Sequence, residues 1–262
     1  MNVFEAIFLG LVQGLSEFIP ISSSGHLVVA QALLGKSSDH LFLEAINMGT
    51  FVALLIYFAP KIIVILKDIF VGKNYTLARN IILTSIPAGL VGYLAADYID
   101  NSPFFGSLWV IVVTLTLVGI VMIVLEKLPK LTPVSDGSKL SPLRSLLVGL
   151  AQMCALIPGV SRSGATIVTG RLVGLSPKEA AEYSFLASLP IMLGVTIKTI
   201  LHDHDYLAAH ASMLIVGNLA ALISGLLAVR FLMKYLSSHD LKLFGWYRIG
   251  LAAVLVGVLL LH

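Results

Sequence analysis

The sequence predicts an all-α polytopic membrane protein, with six transmembrane helices and two re-entrant helix–loop–helix hairpins that form an inverted internal repeat. Three observations carry that expectation. The 262 residues are 58% hydrophobic and only 12% charged, with a mean hydropathy of +0.97, too little polar surface for a soluble domain. The apolar runs are long and continuous rather than short and alternating, which favours helices over a β-barrel. Finally, Gly10–His26 (GLVQGLSEFIPISSSGH) and Gly149–Ala165 (GLAQMCALIPGVSRSGA) spell nearly the same polar segment at a constant offset of 139 residues. Gly10, Leu11, Gln13, Ser22, Ser24, Gly25 and Gly35 meet Gly149, Leu150, Gln152, Ser161, Ser163, Gly164 and Gly174.

The elements follow in order. Runs at roughly 42–60, 79–97, 106–125, 183–201, 211–233 and 244–261 are long enough to cross a bilayer. The motif segments, about 2–34 and 141–173, each read as an apolar helix, a Pro/Ser/Gly break and a second short helix. The second helix of the first segment is expected to begin near Leu27. Such a segment fits a hairpin that leaves on the face it entered, since irregular backbone at membrane depth must be buried or line a wet cavity. Repeat 1 then covers about 1–125 and repeat 2 about 141–262, within a single membrane domain. No cleavable signal peptide is expected at the start, where Glu5 and Glu17 interrupt the apolar stretch and no basic residue opens it.

Basic residues test the count. With re-entrant hairpins, loops 60–79, 126–144, 171–182 and 230–248 fall on one face and hold fourteen of the 17 lysines and arginines, Arg171 and Arg248 among them. Lys36 and Lys198 remain on the far face, with Asp39, Asp97, Asp100, Asp203 and Asp205. The positive-inside rule puts the basic loops in the cytoplasm and both termini outside. Three crossings then separate the hairpins, so they dip from opposite faces and can meet near mid-membrane, as in other inverted-repeat proteins.

The two copies have divided their charged chemistry. Glu17 and His26 stand where the second copy has Leu156 and Ala165, and Arg162 stands where the first has Ser23. Glu17 follows Gln13 by one helical turn, which puts both on one face. Ser22, Ser24 and Gly25, like Ser161, Ser163 and Gly164, precede or open a helix and so form anion sites of free N–H groups. Arg162 adds a planar fork of donors for phosphate oxygens. His26 is a candidate base, acid or nucleophile. Each feature alone has a plain structural reading: Ser and Gly pack helices, and Arg162 could simply neutralise Glu17. Their convergence by symmetry favours one composite site for a diphosphate, with a carboxylate in reach of a hard cation. Asn47 is a candidate cavity residue. His202, His204 and His210, with Asp203 and Asp205, read as a solvated outer loop. Cys154 is the single cysteine, so no intramolecular disulfide forms; nothing basic and aromatic suits a nucleic acid.

At these residues the sequence resembles the bacitracin-resistance family of undecaprenyl-diphosphatases. The family's (E/Q)xxxE, P-x-S-S-[ST]-G-H and P-G-x-S-R-S-G motifs match Gln13–Glu17, Pro20–His26 and Pro158–Gly164 in order, and the likeness runs along the whole chain, including Pro177–Leu186. The resemblance implies hydrolysis of undecaprenyl diphosphate to the monophosphate in a bacterial plasma (inner) membrane. That reaction recycles the carrier of peptidoglycan and other envelope polymers and confers bacitracin resistance. The resemblance also implies a divalent cation, Mg²⁺ or Ca²⁺, with Glu17 and Gln13 as candidate ligands, Gln13 bringing no charge. It places the catalytic roles on Glu17, Ser23, His26 and Arg162 and an outward-facing site. The attacking group is Ser23 with His26 as base, His26 itself, or water. A polyprenyl-phosphate transporter, or an enzyme that also flips its product, is the alternative, because inverted repeats also build transporters. A lipid phosphatase of the acid-phosphatase type is excluded: the second histidine it needs six residues after Arg162 is Val168. Oligomeric state is not legible, and a homodimer stays open.

Overall fold

The computed structural model describes residues 1–35, 39–128 and 132–261. Lys36 and Lys130, both counted in the charge bias, lie outside them, as does the side chain of Asp100. The described chain is helical without β-strands, running α1 Val3–Phe18, α2 Ser23–Leu33, α3 His40–Ala45, α4 Asn47–Tyr57, α5 Ala59–Phe70, α6 Thr76–Leu94, α7 Ala96–Asn101 and α8 Leu108–Leu125. It continues as α9 Pro142–Met153, α10 Arg162–Leu172, α11 Pro177–His202, α12 His204–Ala209, α13 Ala211–Tyr235 and α14 Lys242–Leu261.

Six segments are long and apolar enough to span: His40–Tyr57, Thr76–Leu94, Leu108–Leu125, Pro177–His202, Ala211–Tyr235 and Lys242–Leu260. They coincide with the six expected runs. The first is not one straight helix, because Ile46 separates α3 from α4. Outward faces carry Ile82, Leu117, Leu219, Ile223 and Leu227, as contact with lipid requires. Two loop expectations need correction. Ala59–Phe70, expected within a loop, is a helix with Ile63, Val64, Leu66 and Phe70 exposed beside Lys61 and Lys67, the composition of an interfacial helix. Arg171 and Arg248, counted among the basic loop residues, are buried: Arg171 pairs with Glu126 at 3.0 Å, and Arg248 lies in α14 with none of its surface exposed.

Local rules set the hairpin helices. Asn2 and Glu5 form a reciprocal capping box at the start of α1. Ser141 and Pro142 open α9 in the same spirit, a capping hydroxyl followed by proline in the first turn. The second helices begin at Ser23 and Arg162, so α2 starts four residues before the expected Leu27. Each has 11 residues, about 16 Å of helix against a hydrocarbon core of about 30 Å.

Packing pairs the elements in a reciprocal way. At the 139-residue offset α1 corresponds to α9 and α6 to α13; α1 packs on α13, and α9 packs on α6. Close approach requires the small residues at these seams. A Cβ on Gly10 would stand 2.2 Å from the Gly217 carbonyl oxygen, and one on Gly149 would stand 2.7 Å from that of Thr84. α8 and α14 pair with each other, Gly119 against Gly245. Outside the bundle, the Tyr206 hydroxyl of α12 donates to Asp39 at 2.6 Å, and burial with the adjacent carboxylate pushes that phenol well above its ordinary value.

Candidate active site

Both motif breaks use the same backbone device. Ser22 (φ 74°, ψ 100°) and Ser161 (φ 71°, ψ 121°) sit in a region that costs a β-carbon residue energy, and both are N-caps. Their hydroxyls accept from Gly25 N and Gly164 N at 3.4 and 3.1 Å, and lie 3.0 and 3.2 Å from the hydroxyls of Ser24 and Ser163. Apart from Gly25 N and Gly164 N, which the cap hydroxyls take, the first-turn amides of α2 and α10 have no intrahelical acceptor by position and can donate to an anion.

The breaks meet. Arg162, the first residue of α10, forms a charged hydrogen bond to Glu17 Oε1, with the two side chains only 21% and 12% exposed. The Ser23 hydroxyl donates to Glu17 Oε2 at 2.7 Å, Ser163 Oγ donates to the Glu17 carbonyl at 3.3 Å, and Gly159 N donates to Ser24 Oγ at 3.1 Å. Glu17 is therefore the hub: one oxygen holds the arginine of the second break, the other the serine of the first. Gln13 supports it one turn below, its amide nitrogen donating to Glu17 Oε2 at 3.1 Å and to Asn47 Oδ1.

A cavity of about 350 Å³ opens over this contact, lined by Glu17, Ser22, Ser23, Ser24, Ser161 and Arg162. Glu44, Asn47 and Thr199 add polar groups to its wall, while Met48, Leu156, Ile157, Met192 and Val195 add apolar ones. Thr199 Oγ1 donates to Glu44 at 3.4 Å.

One expected pairing is absent. His26 is not hydrogen-bonded to Ser23 and is not part of the cavity wall. Its Nδ1 lies 2.7 Å from the Ser22 carbonyl oxygen, which can only accept, so Nδ1 carries the proton and Nε2 accepts from the Tyr247 hydroxyl at 2.7 Å. The two rings stack with centroids 5.5 Å apart. The reason is geometric: His26 is in the first turn of α2, where its ring reaches back to the cap carbonyl while the preceding serines face the cavity.

Gln13, a candidate ligand, turns its nitrogen, a donor, toward Glu17 and Asn47. Hard-cation chemistry nevertheless suits the oxygen donors that remain, the carboxylates of Glu17 and Glu44 and the serine hydroxyls. Among the described residues no three His, Cys, Asp or Glu side chains form a cage. A cation held partly by one or two carboxylates and completed by phosphate oxygens is the mode such a wall permits. The outer histidines lie apart: His204 faces Asp205 at 3.3 Å with both exposed, and His210 stacks on Tyr206.

Sequence reasoning missed Glu44, Thr199, Tyr247 and Arg248. None lies in a motif, and Arg248 was masked by its place beside a basic loop. The signal that could have exposed it is an arginine inside the apolar run 244–261, flanked by Tyr247 and Ile249.

Comparison with known proteins agrees with the motifs. The family model described as bacitracin resistance protein BacA matches residues 6–254. Proteins named undecaprenyl-diphosphatase are similar along their whole length. One from Parvibaculum lavamentivorans is 40% identical, covering 97% of this chain and 96% of its own. Those from Rubrobacter xylanophilus and Acinetobacter baumannii are 36% and 37% identical, covering 100% of both chains and 97% and 95%, respectively. Matched from its first helix to its last, with both breaks inside the match, the chain belongs to the bacitracin resistance protein BacA family.

Proposed function

We propose that this protein hydrolyses undecaprenyl diphosphate to undecaprenyl phosphate and inorganic phosphate. The observation that carries the reading is the contact of the two breaks, in which Glu17 binds Arg162 through one oxygen and the Ser23 hydroxyl through the other. That is an activated-nucleophile arrangement beside a phosphate-binding cation. Ser23 Oγ attacks the terminal phosphorus, Glu17 takes its proton and passes it to the bridging oxygen, and the bond from phosphorus to that oxygen breaks to release the lipid monophosphate. Water then attacks the phosphoseryl phosphorus, giving up its proton to Glu17, which returns it to Ser23 Oγ as the phosphorus–Oγ bond breaks and phosphate leaves. Arg162 stabilises charge on the phosphoryl oxygens, and the first-turn amides of α2 and α10 orient the two phosphates. His26 acts on this geometry through the Ser22 carbonyl, and so through the backbone that aims Ser23.

A bound Mg²⁺ or Ca²⁺, held by Glu17 and Glu44, would supply further neutralisation of phosphate charge. The chain's own residues complete the site, so the reading requires no second copy.

We also propose that the two motif segments are re-entrant and belong to repeats of opposite orientation. The 11-residue second helices and the reciprocal packing of α1 on α13 and α9 on α6 support this. The cavity wall draws on the start of α4 and the later half of α11, the ends remote from the basic segments, which supports a site open to the outer face of a bacterial inner membrane.

Phosphate release from undecaprenyl diphosphate by purified protein, with and without EDTA, is the test. Release that stops with Arg162→Ala and with the chelator is expected. Binding and exchange of intact lipid without release would sink the hydrolase reading and favour a transporter.

A further inference from the structure

Arg248 is the largest of the fully buried side chains among the described residues, and no carboxylate pairs with it among the described ion pairs. A charge in that position is costly unless its donors are all used. Here four hydrogen bonds run to backbone carbonyls. Nη1 donates to the Pro20 carbonyl at 3.2 Å, Nη2 to those of Gly159 and Val160, the latter at 3.0 Å, and Nε to that of Leu115 at 3.5 Å.

Those carbonyls come from three places: the first break, the second break and the middle of α8. Pro20 lies two residues before Ser22, and Gly159 and Val160 immediately precede Ser161, so one guanidinium grips both caps at the same register. Broken helices free carbonyls that neither water nor lipid can satisfy at this depth, and a planar fork of five donors is the side chain able to serve several at once. A β-carbon on Gly164 would come within 3.3 Å of Arg248 Nη1, which places the guanidinium directly behind the start of α10.

We infer that Arg248 is a positioning residue, a pin between the two breaks that keeps Ser23 and Glu17 aligned with Arg162. The inference rests on the proposed hydrolase reading for its rate readout and on backbone geometry for its structural one. Misplacement of reacting groups by about 1 Å is enough to cost about a hundredfold in rate.

The test uses the full chain in lipid nanodiscs. Arg248→Met removes every donor, while Arg248→Lys keeps charge and up to three of them. Arg248→Met is expected to lower kcat about a hundredfold with KM changed less than about threefold, and Arg248→Lys to recover at least about tenfold of that loss. In parallel, spin labels at Leu15→Cys and Leu150→Cys, exposed positions on α1 and α9, report the spacing of the hairpins in a Cys154→Ser background. Their distance distribution is expected to broaden with Arg248→Met and to narrow again with Arg248→Lys. Wild-type kcat per folded molecule in Arg248→Met, or an unchanged distance distribution, overturns the pin. Absence of phosphate release from the unsubstituted protein would instead defeat the hydrolase reading, and the spin-label distances would still decide the pin.

Discussion

The first and second breaks share a backbone and differ in chemistry. Ser22 and Ser161 adopt the same unusual dihedrals, cap their helices through the same hydroxyl-to-glycine bond, and hold a second serine at nearly the same distance. Yet the first break supplies a carboxylate and the serine hydroxyl that donates to it, and the charged group of the second is Arg162. His26 widens the contrast: the Ser22 carbonyl accepts from both the amide and the ring of His26, whereas the Ser161 carbonyl accepts from the amide of Ala165. Duplication can therefore provide two strained caps that face each other, while the reacting groups need to be written only once. A symmetric site would set like charges against each other, and here divergence yields an attractive pair.

The sharpest way to break the comparison is to remove its asymmetric groups. Glu17→Gln is expected to lower kcat about a thousandfold, as loss of a general base does, and Ser23→Ala to do the same if serine is the nucleophile. Burst kinetics with labelled substrate check the second: a phosphoseryl species must vanish with Ser23→Ala. Arg162→Ala should cost about a hundredfold or more. Because Arg162 and Glu17 touch, the double variant is expected to lose less than the product of the single losses; full additivity in kcat would show that their contact is not used in turnover.

His26 gives a smaller and more discriminating effect. His26→Ala is expected to cost about a hundredfold, the scale of misaligned reacting groups. Tyr247→Phe, which keeps the stacked ring, removes the hydroxyl from Nε2 and leaves the Ser22 contact intact, so it should cost less than about tenfold. A Tyr247→Phe loss equal to that of His26→Ala would return His26 to a direct proton-transfer role.

The smallest expected effects lie in the shared scaffold. Ser22→Ala and Ser161→Ala each lose a cap, about 1 kcal/mol of stability, and thermal unfolding should show them alike. Gly159→Ala should be worse than either. Its φ of +86° suits glycine, and an added Cβ would fall 2.1 Å from Thr114 Oγ1 and 2.9 Å from the Ile111 carbonyl oxygen. Equal stability of Gly159→Ala and wild type would show that the second break has room the structure does not give it.

Much of this was legible in the chain. Six apolar runs marked the spans, because lipid imposes continuous hydrophobicity on any helix that crosses it. The 139-residue offset pointed to paired breaks, and the spacing of Gln13 and Glu17 placed both on one helical face, where they are joined at 3.1 Å. What periodicity could not reveal was which partner each polar group takes. The activated-nucleophile pattern suggests His26 as the base for Ser23; the fold instead turns the serine to a carboxylate six residues earlier and the ring to Tyr247 near the far end of the chain.

The sequence by itself determined the helical class, the span count, the two breaks and the identity of the charged groups, since hydropathy, capping residues and glycine placement are local properties. Only the tertiary structure decided that Glu17 joins both breaks, that Glu44 and Thr199 share its cavity, and that Arg248 leaves its basic neighbours to lie buried between the caps. Most of those contacts join residues far apart in the chain, as in the 145 positions between Glu17 and Arg162, the 228 between Arg248 and Pro20 and the 89 between Arg248 and Gly159. Hydrogen-bond directions across such separations depend on how helices cross, which no one-dimensional pattern encodes.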